Sequence, residues 1–189
     1  MMINEKKNER VNVNKTIKIS LLAAISVILM YFDFPVIPMF PWLKIDLSDV
    51  PALMGALAFG PMTGVIIEGL KNLLILIVKG TSTGFVGELA NFFIGISLVV
   101  PIAYIYKKNN SVKNEFLGMI AGFIGVQIVG IIANVYLLLP VFGMQMSKIE
   151  TLKYVTVGLL PFNGIKAILV FLVTYILYKK VSNVIFKEY

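Results

Sequence analysis

The sequence predicts an all-α membrane protein with six transmembrane helices and both termini in the cytoplasm. Three observations lead to this fold class: an apolar composition, a series of long apolar runs, and the placement of the basic residues. Hydrophobic residues make up 58% of the 189 positions, charged residues 14%, and the mean hydropathy is +0.89. Such values lie outside the range of soluble globular domains. We therefore interpret every later feature in the setting of a lipid bilayer.

The apolar runs supply the helices. At about 1.5 Å per residue, most of them are long enough for a hydrocarbon core about 30 Å thick. Four runs cover residues 19–31, 85–106, 116–139 and 157–178. The first spans the bilayer if its helix begins near Lys15. The stretch from Val50 to Val78 fits either one span with a re-entrant piece or two short spans divided at Gly60-Pro61. Proline favours the division, because it removes a backbone donor and disfavours helix at the preceding residue.

The basic residues decide the number of spans. Six spans place one large set in the cytoplasm: Lys6, Lys7, Arg10, Lys15, Lys18, Lys107, Lys108, Lys113, Lys179, Lys180 and Lys187. The opposite side then receives Lys44, Lys79, Lys148 and Lys153. Five spans put the 107–113 cluster outside, against the positive-inside rule. We expect a cytoplasmic tail at residues 1–14, a six-helix substrate-binding domain at 15–181 and a second cytoplasmic tail at 182–189, with no cleaved signal peptide.

Composition also excludes several classes of function. The net charge of +7 is explained by topology and by contact with anionic membrane lipid, so we expect no nucleic-acid partner. The chain has no Cys and no His, which removes thiolate sites, disulfides, and the commonest general base and metal ligand. We predict no catalytic residue, metal or cofactor. No Walker A motif occurs, so any ATP-driven step requires another polypeptide.

Polar residues in three predicted helices lie at a similar depth on the outer side. Glu88 and Asn91 are three residues apart at the start of the fourth helix, and Asn163 and Lys166 repeat that spacing at the start of the sixth. Asn134 lies toward the outer end of the fifth. Each can simply bond to a neighbouring helix or extend to the interface. Their coincidence at one level favours a solvent-connected pocket.

Other polar residues have simpler interpretations. Glu68 and Lys71, three residues apart, are expected to neutralise each other near a helix surface. Asp49 is expected to cap the second helix. Lys44 and Asp46, in a short extended segment before that helix, are candidates for lid or ligand contacts. For Trp42, an interfacial anchor is the commoner role.

Four elements resemble one family: residues 43–53 (LKIDLSDVPAL), Phe59-Gly60-Pro61, residues 87–92 (GELANF) and residues 161–166 (PFNGIK). They are similar to the riboflavin-specific substrate-binding (S) component of energy-coupling factor (ECF) vitamin transporters. The resemblance runs from the first predicted helix to the sixth. It implies a protein that captures riboflavin near the extracellular face, with riboflavin as transported ligand and not as cofactor, in the bacterial cytoplasmic membrane.

The resemblance also implies a set of ligand contacts. Candidate hydrogen-bond partners are Glu88, Asn91, Asn134, Asn163 and Lys166. The ribityl hydroxyls need further polar groups, for which Lys44, Asp46, Thr81 and Thr83 are candidates. The apolar edge of the ring would pack on Leu43, Ile45, Phe92 and Tyr136.

The resemblance further implies protein partners: a transmembrane coupling (T) component and two ATPases of the ABC type. S components generally carry an Ala-x-x-x-Ala surface on helix 1 for docking, since small side chains let helices approach closely. Here Ser20 and Ala24 form a small-x-x-x-small pair, and Ala23 is a further candidate, although Val27 follows it four positions later.

Two alternatives remain open from the sequence. One is an S component for a different vitamin, because pocket polarity alone does not distinguish riboflavin from thiamine, biotin or folate. The other is a small integral membrane enzyme with Glu88 or Asp46 as an acid or base. The absence of His and of a paired acidic motif argues against the enzyme.

Overall fold

A computed structural model describes residues 2–108 and 111–185 of the chain. The helices are α1 (Met2–Tyr31), α2 (Asp49–Phe59), α3 (Pro61–Lys79), α4 (Val86–Lys108), α5 (Val112–Ala133), α6 (Leu139–Val141), α7 (Lys148–Lys153) and α8 (Leu160–Ile185). Two π-helical segments, Asn134–Leu138 and Tyr154–Leu159, join α5 to α6 and α7 to α8. Two short strands, β1 (Phe34–Pro35) and β2 (Lys44–Ile45), lie between α1 and α2.

Within the described residues, five helical stretches are long and apolar enough to cross a membrane: Val13–Tyr31, Pro61–Lys79, Val86–Lys108, Lys113–Val141 and Lys148–Ser182. The predicted helical membrane fold is therefore confirmed at this level. Helix α2 is shorter, with 11 residues. At about 1.5 Å per residue it reaches roughly half the thickness of a hydrocarbon core. The second predicted span thus needs the segment at 32–48 in addition to α2.

The predicted break at Gly60-Pro61 is confirmed. Helix α2 ends at Phe59, and Pro61 is the first residue of α3. Gly60 between them has a φ of 104°, in the region that glycine adopts readily and other residues rarely do. This tight turn lies at the end of the molecule that we call the turn end. The opposite end, where α1 and α3 end and α4 begins, is the cavity end.

The chain ends differ from the prediction in their helix boundaries. Helix α1 begins at Met2, whereas the sequence predicted a start near Lys15, so the polar segment at 2–14 continues the helix. Helix α8 runs to Ile185, past the boundary predicted at 181/182. Met1 and residues 186–189 lie outside the described residues. The cytoplasmic location of the two tails stays a prediction.

Two apolar clusters stabilise the fold. One joins α1, α2, α3, α4, α5 and α8 around side chains such as Leu53, Ile67 and Val99. In this region α4 and α5 approach closely, because a Cβ on Gly122 would lie 2.7 Å from the Leu98 carbonyl oxygen. The second cluster lies at the cavity end and contains Tyr154. It packs the segment at 36–45 against the region where α7 and α8 meet.

Candidate functional site

The cavity end contains a cavity of about 420 Å³. Its walls come from the end of α1, the segment at 33–46, the end of α3, the 80–88 loop, the start of α4, the π segment after α5, α6 with Phe142, and the region from Tyr154 into α8. A volume of this size suits a small organic ligand. The sequence predicted a polar pocket built from the same helix ends, and the structure contains it.

Most predicted ligand residues line this cavity: Leu43, Lys44, Asp46, Glu88, Asn91, Asn134, Asn163 and Lys166. They come from the segment before α2 and from three helical stretches that are far apart in sequence. The predicted convergence at one level is therefore present. Whether each residue contacts a ligand stays a prediction.

Ile45, Thr81 and Thr83 are not among the lining residues. Ile45 is 1% exposed and belongs to the second apolar cluster. Thr81 and Thr83 instead donate hydrogen bonds to the Glu88 carboxylate, over 3.1 and 3.4 Å. Their geometry suits a role in orienting Glu88, because both hydroxyls meet the same carboxylate oxygen.

Two residues expected to pack on an apolar ligand edge point elsewhere. Tyr136 is 72% exposed and does not line the cavity, although its neighbour Asn134 does. Phe92 lines a separate apolar groove between α3 and the start of α4. These placements correct the prediction: the apolar walls come from Leu43 together with Ile75, Ile94, Leu138, Leu139, Phe142 and Phe162.

The segment before α2 forms one wall of the cavity. Its two strands pair antiparallel, with Phe34 opposite Ile45 and Pro35 opposite Lys44. The Lys44 ammonium lies 3.3 Å from the Asp33 carboxylate, which ties the two strands together at the cavity rim. Asp46 is 5% exposed, and its carboxylate accepts a 2.8 Å hydrogen bond from the Ser48 amide. Asp46 thus fixes the turn that leads into α2.

A chain of hydrogen bonds connects that segment to the π segments. The Trp42 indole N–H donates to the Tyr154 hydroxyl over 3.3 Å, and the hydroxyl donates to the Asn134 side-chain oxygen over 3.2 Å. The Asn134 amide nitrogen donates to the Gly130 carbonyl at 2.8 Å. Trp42 therefore lies in the cavity wall with a partner, where an interfacial anchor was the commoner expectation.

The second amide of the cavity is held by a close helix contact. The Asn163 side-chain nitrogen lies 3.5 Å from the Val126 carbonyl and 3.4 Å from the Gln127 side-chain oxygen. A Cβ on Gly130 would lie 2.6 Å from that nitrogen, so glycine there makes room for the amide. The third amide, Asn91, has a buried side-chain oxygen without a hydrogen-bond partner in the part of the chain that the structure describes.

Behind the cavity wall, four buried charged groups form a chain. The Lys71 ammonium lies 2.5 Å from Glu68 and 2.6 Å from Asp49, and the Lys166 ammonium lies 3.0 Å from the other Asp49 oxygen. All four side chains are almost fully buried. The two cations face these two anions, and the buried carboxylate of Asp46 also lies near both ammonium groups, which offsets the large cost of burying isolated charges.

This chain corrects two sequence interpretations. Glu68 and Lys71 do pair, but in the core and not near a helix surface, since both side chains are 0% exposed. Asp49 does not cap α2, because its side chain bonds to Lys71 and Lys166, and no side-chain cap bond is present at Ser48. The spacing along the sequence could not reveal a contact that joins α2, α3 and α8.

The model of the family described as "ECF transporter, substrate-specific component" matches residues 14–178. The chain belongs to this family.

Two relatives of this S component cover nearly the whole chain. "Riboflavin transporter FmnP" of Bacillus subtilis (strain 168) is 35% identical over 178 residues, covering 90% of this chain and 93% of the relative. "Riboflavin transporter RibU" of Staphylococcus aureus (strain TCH60) is 36% identical over 185 residues, with 96% and 94% covered. A solved structure described as "Structure and mechanism of the S component of a bacterial ECF transporter" has 35% identity and a TM-score of 0.78, covering 91% of this chain and 97% of that one.

Family membership agrees with the chemistry of the cavity. As in other S components the function is transport, not enzymatic conversion. Amides supply both donors and acceptors, an ammonium supplies donors, and apolar side chains complete the walls. The arrangement suits a small organic ligand that has both polar and apolar edges.

Sequence reasoning missed several lining residues of this S component, among them Met30, Asp33, Ile75, Lys79, Tyr154 and Phe162. Tyr154 is the clearest case, because it is 1% exposed and bonds to two other wall residues. Its position at the start of the last apolar stretch was a usable signal. An interfacial tyrosine is common enough that this signal alone does not point to a site.

The docking residues on α1 separate into two groups. Ser20 and Ala24 are exposed on one helical face, as the prediction requires. Ala23 is 1% exposed and packs in the first apolar cluster, so its side chain is not available to a partner. The docking prediction is corrected accordingly to Ser20 and Ala24.

Proposed function

We propose that this chain is the riboflavin-binding S component of an ATP-driven ECF vitamin uptake transporter. The observation that carries the proposal is the cavity of about 420 Å³, in which three amides and an ammonium group meet apolar side chains. Relatives bearing the name riboflavin transporter match the chain over nearly its full length, which supports riboflavin over other vitamins.

The ligand's chemistry fits these walls. An isoalloxazine ring has a pyrimidine-like edge rich in donors and acceptors, and a dimethylbenzene edge that is apolar. Asn91, Asn134, Asn163 and Lys166 are suited to the polar edge, because amides and an ammonium together supply donors and acceptors. Leu43 and the other apolar wall residues are suited to the opposite edge. Lys44 and Glu88, together with the more deeply buried Asp46, are our candidates for the ribityl hydroxyls.

The proposed topology has six membrane segments with both termini in the cytoplasm. Helix α2, together with the segment at 32–48, makes the second crossing. The basic residues near 107–113 and 179–180 then lie inside, in accordance with the positive-inside rule. The cavity end faces outward, and the protein resides in the bacterial cytoplasmic membrane.

The transport step requires partners. In our proposal this chain assembles with a T component and two ABC-type ATPases, as is general for the family. The exposed pair Ser20 and Ala24 on α1 is the proposed docking position. Ala24→Trp is expected to abolish copurification with the T component while riboflavin binding persists, because the bulky ring separates helices that need close approach.

The docking test has a matched control. Ile77→Trp introduces the same ring at a position on α3 that is 71% exposed, and assembly is expected to continue. Normal assembly of the Ala24→Trp variant would refute docking through this face.

Titration of the detergent-purified protein with riboflavin tests the function itself. Free riboflavin is fluorescent, so enclosure beside aromatic side chains should give saturable one-to-one quenching, or a flavin spectrum should copurify. Absence of both would refute riboflavin as the ligand. Saturable binding of thiamine, biotin or folate in the same assay would identify a different vitamin instead.

A further inference from the structure

The buried charges reach the cavity at one point. Of Glu68, Lys71, Asp49 and Lys166, only Lys166 is among the residues that line it. Its side chain is 7% exposed, and its ammonium lies 3.0 Å from Asp49. The other three groups lie behind the wall and have no direct access to a ligand in the cavity.

We infer that Asp49 is a positioning residue for ligand binding, which holds the Lys166 ammonium at the cavity wall while Lys71 and Glu68 fix Asp49 from behind. The inference rests on the proposed function, since it concerns the same cavity. It assigns to three buried charged residues a role in affinity in addition to any role in folding.

The first step of the argument is the division of the Asp49 carboxylate. One oxygen lies 2.6 Å from the Lys71 ammonium, and the other lies 3.0 Å from the Lys166 ammonium. A carboxylate held at both oxygens has little freedom to rotate. Lysine has a long, flexible side chain, so a fixed anion beside its ammonium decides where that ammonium rests. An ammonium has three donors, so Lys166 can meet ligand acceptors while it stays in its ion pair with Asp49.

The second step concerns what fixes Lys71. The Glu68 carboxylate lies 2.5 Å from the Lys71 ammonium, which also contacts Asp49. Glu68 in turn packs against α4 at Gly95, where an added Cβ would overlap its carboxylate. The chain of charges therefore extends from α3 through α2 to α8, and α4 packs against its far end at Glu68. A movement of Glu68, which does not line the cavity, can therefore be passed through Lys71 and Asp49 to Lys166.

The third step concerns charge balance. Because Asp49, Glu68 and the nearby buried carboxylate of Asp46 compensate the two cations, Lys166 needs no negative charge from the ligand. A neutral ring with carbonyl acceptors can therefore meet the ammonium without leaving an unpaired buried charge. Asp49 also follows directly after the wall segment at 32–48, so the same carboxylate joins that segment to α8.

A double-mutant cycle tests the inference. Riboflavin dissociation constants are measured for wild type, Asp49→Asn, Lys166→Met and the double variant, at a temperature where all are folded. If Asp49 acts through Lys166, Asp49→Asn lets the ammonium leave its position and lose a hydrogen bond to riboflavin. The loss of one hydrogen bond to a charged group should raise the dissociation constant about tenfold or more. The double variant is then no weaker than Lys166→Met alone. Unchanged affinity in Asp49→Asn, or additive losses, would overturn the inference.

A second pair of variants decides the matter even if Asp49→Asn does not fold. Gly95→Ala disturbs Glu68, at the end of the chain remote from the cavity. Gly64→Ala is the matched control, because its Cβ would lie 2.5 Å from Val99 and 2.8 Å from Ala56, two apolar side chains. We expect weaker riboflavin binding in Gly95→Ala alone, with thermal stability lowered in both. Equal affinities in the two variants would contradict the inference.

These experiments separate the two proposals. If wild type fails to bind riboflavin, the proposed function is wrong. If wild type binds and the variants behave independently of the charge chain, only the positioning role is wrong.

Discussion

The two ends of the molecule enclose cavities of comparable size with different walls. The cavity-end space is about 420 Å³, and its polar groups are linked by hydrogen bonds and ion pairs. The turn-end space is about 330 Å³ and lies between α2, α4, α5 and α8. Leucines, an isoleucine, Phe171 and tyrosines form part of its wall, and Glu115, Thr174, Lys179 and Ser182 add polar groups. Both walls therefore contain polar side chains, and the difference lies in how those side chains are connected.

The polar groups mark the difference between the two ends. At the cavity end, Trp42, Tyr154 and Asn134 form one hydrogen-bonded series that the wall itself supports. At the turn end, the buried hydroxyl of Thr174 has no hydrogen-bond partner among the described residues. A satisfied polar network makes the wall that carries it rigid, which suits a wall that must present fixed polar groups to a ligand. We therefore assign recognition to the cavity end and expect the turn end to serve packing.

The largest expected effect comes from breaking the charge chain that backs the cavity. Lys71→Met leaves Asp49 and Glu68 without the cation they share, and removal of one member of a buried ion pair costs about 3 to 5 kcal/mol of stability. Thermal unfolding of the detergent-solubilised protein should show the loss. Lys153→Met, at an exposed lysine of α7, is the control. Equal melting temperatures in the two variants would show that the chain contributes little to the fold.

The next effect concerns recognition at the cavity end. Asn163→Ala should weaken riboflavin binding by about 1 to 3 kcal/mol, because a buried polar partner is left unmet. Lys166→Ala is expected to act in the same range. Asn114→Ala is the matched control, a partly buried amide on α5 that bonds to the Ile105 carbonyl and does not line the cavity. Unchanged affinity in both cavity variants would remove α8 from the site.

The cavity end also shows how far the sequence could predict the structure. Apolar runs and the Gly60-Pro61 turn predicted the helices because both depend on local chemistry. The i, i+3 spacing of Asn163 and Lys166 predicted a shared helical face, and both residues line the cavity. Such spacing is a property of a single helix, so it is visible without knowledge of the neighbours.

The partners of Asp49 and Tyr154 were not predictable in the same way. Asp49 lies at a position typical of a helix cap, and its pairing with Lys71 and Lys166 depends on how three helices pack. Ala23 and Ala24 are adjacent in sequence, yet one is buried and the other exposed. Which face of α1 turns inward is decided by tertiary packing. The small-residue pattern alone does not contain that information.

A smaller effect is expected where the cavity wall depends on a close helix approach. Gly130→Ala places a methyl group 2.6 Å from the Asn163 nitrogen, so the amide must turn away from its present position. Holding a side chain off its preferred rotamer costs about 0.5 to 1.5 kcal/mol, and riboflavin affinity should fall by no more than that. Gly164→Ala is the control, because the nearest atom to its added Cβ would be a Phe123 ring carbon at 3.5 Å, an ordinary contact distance. Equal affinity in the two variants would show that Asn163 is free to move.

The smallest effect is expected at the turn end. Thr174→Val removes a buried hydroxyl that has no partner within the described residues and keeps the shape of the side chain. Removing an unsatisfied group is nearly neutral or stabilising, so we expect a change within about 1 kcal/mol and unaltered riboflavin affinity. Ser97→Ala offers the contrast, because its hydroxyl donates to the Ile94 carbonyl at 2.7 Å and its loss should destabilise. Weaker riboflavin binding in Thr174→Val would mean that the two ends are coupled, and recognition would then no longer be confined to the cavity end.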